Sequence, residues 1–69
     1  MTPVELEVYR HPWSGYGVFV HDMEGEPNIA NLGGYASIDE AIEAGHRWSE
    51  SSFHKVVHVT RPDGRYETP

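Results

Sequence analysis

The chain has 69 residues, enough for one domain (1–69) and no more. It carries 11 Asp and Glu against 5 Lys and Arg, a formal net charge of −6, with 38% apolar residues and no cysteine. That composition excludes a disulfide-stapled miniprotein and any thiolate metal site, and no apolar run approaches the roughly 18–20 residues of a membrane helix.

In chain order, Met1-Thr2-Pro3-Val4-Glu5 has no basic stretch followed by an apolar run, so no signal peptide is expected and the expected location is cytoplasmic. Val4 to Tyr9 alternates strictly, with Val4, Leu6 and Val8 on one side and Glu5, Glu7 and Tyr9 on the other, the pattern of a half-buried strand. His11-Pro12-Trp13-Ser14-Gly15 reads as a turn, and Tyr16 to His21 as the second strand of a hairpin. Asp22 to Asn28, with Gly25 and Pro27 among its acids, is a loop. Ile29 to Tyr35 fits either a short third strand or an extended connection.

A helix is expected over about residues 37–51. Ser37 with Glu40 three residues on forms a capping box. Ile38, Ala41, Ile42, Gly45 and Trp48 make one apolar stripe, and Glu43 with Arg47 makes a favourable pair one turn apart. Gly45 costs about 1 kcal/mol against alanine in a helix interior, which suggests a helix seated close on the sheet. Phe53 to Thr60 reads as the next strand, Arg61-Pro62-Asp63-Gly64 as a tight turn, and Arg65-Tyr66-Glu67 as a short return strand. The order β-β-(β)-α-β-β predicts an α+β fold: a small antiparallel sheet of three to five strands with one helix on one face. The other face is then open. Ordering a chain costs on the order of 1.5 kcal/mol per residue, which so small a core barely offsets, and homodimerisation therefore stays open.

Two resemblances attach to these residues. Tyr9-Arg10, Pro12-Trp13, Gly15, Leu32-Gly33-Gly34-Tyr35 and Ser37-x-x-Glu40-Ala41 resemble the ethylene-response-factor type of DNA-binding domain. That likeness implies a three-stranded sheet on a helix, with arginine and tryptophan of the sheet reading the major groove. Only Arg10 and Trp13 stand at such positions here, without the family's run of arginines. Glu40-Ala41-Ile42-Glu43-Ala44, Val56-Val57-His58 and Asp63-Gly64-Arg65 are similar to a family of short bacterial domains of unknown function. This second likeness is the one we favour, because it also covers the strand after the helix. It implies a fold and no activity.

The residues that bear chemistry argue against catalysis. Five histidines invite a metal, but His54 and His58, on one strand face, would stand about 13 Å apart at roughly 3.3 Å per residue. One ion with ligand bonds of about 2 Å does not bridge that, and a site would need His11 or His21 from elsewhere. No serine sits in a Gly-x-Ser-x-Gly elbow, and Ser37 is taken up as a cap. Gly33-Gly34 before the helix suggests a phosphate cradle, yet Asp39 and Glu40 in the first turn would repel an anion. No enzyme activity, metal or cofactor is expected.

Nucleic acid is the weaker of two binding readings. Residues 1–50 hold nine acids and two basic residues, and only the last hairpin, with Lys55, Arg61 and Arg65, offers contacts to phosphate. The favoured reading is an interaction module for a protein partner with a basic surface, with no membrane involved. Its expected contacts are Trp13 and Tyr16 as aromatic anchors and Asp22, Glu24, Glu26, Glu40 and Glu43 as the acidic rim. In size and charge the chain resembles accessory proteins of phages and mobile elements. Some of these inhibit a host protein by occupying its basic groove, so the likeness implies a possible inhibitor.

Overall fold

β-Branched and aromatic residues alternating with polar ones build the sheet. The computed structural model of the chain describes residues 2–13, 15–25, 28–62 and 66–67, the last pair by backbone alone. Its elements are β1 (Thr2–Arg10), β2 (Tyr16–Asp22), β3 (Ala30–Tyr35), α1 (Ile38–Ser51), β4 (His54–Thr60) and β5 (Tyr66–Glu67). The Ile29–Tyr35 segment thus supplies a third strand. Glu26 of the acidic loop, and Asp63, Gly64 and Arg65 of the last turn, lie outside the described residues.

The strands form one sheet in the order β3-β2-β1-β4-β5. The expected antiparallel sheet is corrected to a mixed one, because β1 and β4 run parallel while the other neighbours are antiparallel. The cause is the helix. β3 runs in the direction of β1, and a chain that crosses a sheet through a helix returns in the direction it left. Here it passes over β2 and β1 and lands on the far side of β1, making that strand the centre of the sheet.

α1 crosses one face and touches β1, β2, β3 and β4. Val4, Leu6 and Val8 of β1, Val18 and Val20 of β2, Val59 of β4 and Ala41 of α1 form the buried core beneath it. Gly45 does let the helix sit close: a Cβ there would come within 2.8 Å of Leu6 Cδ1. The helix starts where the capping box places it. Ser37 Oγ accepts from the Glu40 N–H at 3.2 Å, while the Glu40 carboxylate accepts from the N–H of Ala36 at 2.9 Å, one residue before the cap. The Glu43–Arg47 pair forms at 2.8 Å. At the other end Phe53 takes the left-handed position with φ +60°, and its N–H reaches the Glu50 carbonyl at 3.3 Å.

β4 departs from simple alternation opposite β1, as β3 does opposite β2. Val4 pairs with Val56 and Glu5 with His58, so Val57 is an extra residue, a bulge. The bulge reverses the facing of everything beyond it. Val56 packs against the core, and so does the buried Val59 three residues on. His54 and His58, expected on one face, are therefore on opposite faces. His54 stacks on Trp48 of the helix with ring centroids 5.4 Å apart, while His58 lies beside Glu5 on the uncovered side.

Candidate functional site: the uncovered sheet face

The strands that bury Val4, Leu6, Val8, Val18 and Val20 against the helix necessarily present their alternate residues on the opposite side. There β1 contributes Glu5, Glu7 and Tyr9, β2 contributes Phe19 and His21, β3 contributes Asn31, and β4 contributes His58, with Lys55 beside Pro3. Among the described residues no element packs across this face.

Aromatic rings form its apolar part. Tyr9 lies over Gly17, where a Cβ would overlap its ring. It stacks on Phe19 with centroids 4.4 Å apart and planes inclined by 24°, and Phe19 in turn meets His21 at 6.0 Å. The Tyr9 hydroxyl donates to Asn31 Oδ1 at 2.8 Å, which pins the ring across β2 to β3.

Carboxylates and imidazoles form the polar part. His21 Nε2 is 2.7 Å from Glu7 Oε1, and His21 Nδ1 accepts the N–H of Asn28, also at 2.7 Å. Because Nδ1 is an acceptor, the neutral ring carries its proton on Nε2 and donates it to Glu7. Glu5 has His58 Nδ1 at 3.9 Å. Glu5 and Glu7 thus stand in line on the central strand, next to the ring stack. Among the described residues no three metal-ligating side chains gather into one group, and no helix is long and apolar enough to cross a membrane.

The residues expected to bind do not form one patch. Trp13 is 76% exposed in the β1–β2 turn. Asp22 and Glu24 lie at the other end of β2, roughly 20 Å away for a strand of this length. Asp22 uses a carboxylate oxygen to accept the Glu24 N–H at 2.8 Å, Glu40 caps the helix, and Glu43 is held by Arg47. Tyr16 packs against the core on the helix side, as its shared parity with Val18 and Val20 could have shown. Sequence reasoning had placed Glu5, Glu7 and Tyr9 opposite the core residues, yet it sought the binding acids in the loop and the helix. Asn31 and the pairing of His21 with Glu7 were missed because their neighbours depend on strand register.

Comparison with protein-family models, with curated proteins and with solved structures finds no match to this chain.

Proposed function

We propose that this chain is a non-enzymatic interaction module that binds a protein partner with a basic surface through its uncovered sheet face. One observation carries the reading: the Tyr9–Phe19 stack lies beside Glu7, with Glu5 next in line on the same strand. Aromatic anchors with charge at their margin are the composition of protein interfaces. The acidic charge of the whole chain would speed encounter with a basic partner and reject acidic ones. Where the partner's basic surface is a working groove, occupying it would inhibit that partner.

A second reading rests on the same rings. Stacked aromatics on an open sheet face are a platform for unpaired bases, and Lys55, on that face beside Pro3, would meet phosphate, whereas Arg61 is turned to Asp39 of the helix at 3.6 Å. Glu5 and Glu7 weigh against it, since each would be pressed toward the nucleic-acid backbone. Capture of partners from a lysate by the wild-type chain and by the Glu5→Lys, Glu7→Lys double variant separates the two. Loss of a captured protein in the double variant supports the first reading. A gain in bound nucleic acid supports the second.

A further inference from the structure

The row that β1 presents has a fixed order and period. Beyond Pro3, which has Lys55 beside it on β4, come Glu5, Glu7 and Tyr9, the last backed by Phe19. Alternate residues of a strand are about 6.8 Å apart, so two negative charges and one aromatic surface are spaced along about 13.5 Å. Neighbouring strands keep the row narrow: His21 and Phe19 flank it from β2, His58 and Thr60 from β4.

From this we infer that the occupant of the face is an extended basic segment laid along β1. It carries Lys or Arg at two alternate positions, over Glu5 and Glu7, and an apolar or aromatic side chain at the next alternate position, over Tyr9 and Phe19. The inference rests on the binding reading above and specifies its ligand. An extended chain repeats every two residues at the same spacing as β1, so all three contacts stay in step. A helix rises about 1.5 Å per residue. On a helix, the well-aligned positions i, i+4 and i+7 span only about 10.5 Å. Positions i, i+4 and i+8 span about 12 Å but turn through about 80° around the axis, so the three contacts do not stay in step. Lys55 at the Pro3 end opposes a third basic residue there and gives the row a direction. Long basic side chains suit such a row, since their aliphatic stems can lie on ring surface while the charged heads reach carboxylates.

The test is a titration of the isotope-labelled full chain, followed by amide shifts. Three synthetic peptides with the same basic and aromatic residues are used: basics alternating with the aromatic next in phase, basics adjacent, and a stapled helix with basics at i and i+4. The alternating peptide should bind most tightly, by up to about fivefold over the adjacent arrangement, the worth of one exposed ion pair. Its shifts should centre on Glu5, Glu7, Tyr9 and Phe19 and vanish in Glu5→Lys, Glu7→Lys. Equal affinity for all three peptides, preference for the helix, shifts centred elsewhere, or no peptide binding while lysate capture still depends on Glu5 and Glu7 would overturn this inference alone. Capture indifferent to both glutamates, or a single-stranded oligonucleotide taking the same face, overturns the binding reading with it.

Discussion

The two faces of the sheet come from the same strands and are built on opposite principles. Under the helix, Val4, Leu6, Val18 and Val20 are fully buried and make only apolar contacts worth naming. On the other side every described contact has a polar or aromatic member: Glu7 with His21, Tyr9 with Asn31, Tyr9 with Phe19. The first face holds the chain folded, because area removed from water is the main stabilising term available to so small a domain. The second spends its residues on groups that remain within reach of solvent, which add little to stability and are free to serve recognition.

Substitutions along β1 test that division most sharply. Leu6→Ala should cost about 2–5 kcal/mol by urea unfolding, as for other buried leucines. The adjacent Glu7→Ala, whose carboxylate is half exposed, should cost less than about 1 kcal/mol. Comparable losses at the two sites would erase the distinction between the faces. A smaller contrast lies within β4. His54→Ala removes a stack on Trp48 and should cost about 1 kcal/mol, whereas His58→Ala on the open side should cost less. The His54 ring protons should also show a ring-current shift that Trp48→Leu abolishes. The smallest effect has the opposite sign. Phe53 is 79% exposed at φ +60°, so Phe53→Gly gives up almost no packing and should stabilise the fold by up to about 1 kcal/mol. A loss of stability there would mean that the ring contributes contacts to the fold after all.

What the sequence made legible was whatever adjacent residues decide among themselves. Ser37 and Glu40 mark the helix start through a cap that spans one turn, and the Val4–Tyr9 alternation assigns sides without reference to any partner. The parallel pairing of β1 with β4 is different, since half-buried strands alternate alike in either direction. The Val57 bulge is likewise a property of two strands in register, so His54 and His58 could not be separated by counting along one. The candidate site divides in the same way. Glu5, Glu7 and Tyr9 were assigned to one side by parity alone. Their meeting with Phe19, His21 and Asn31 required the β1–β2 and β2–β3 registers, which no local pattern encodes.

The parallel pairing has a further consequence, for the order in which the molecule assembles. β1 is the central strand, yet one of its neighbours comes from late in the chain, with Val4 opposite Val56. The β1–β2 hairpin closes a short loop and forms early, whereas docking of β4 closes nearly the whole chain and is the slow, high-contact-order step. On a ribosome that emits the sequence from its N-terminus, the strand bearing Val4 and Leu6 waits with one edge unpaired until β4 has emerged. The acidic residues on its other side, Glu5 and Glu7, place charge on this waiting strand, which disfavours pairing with other chains.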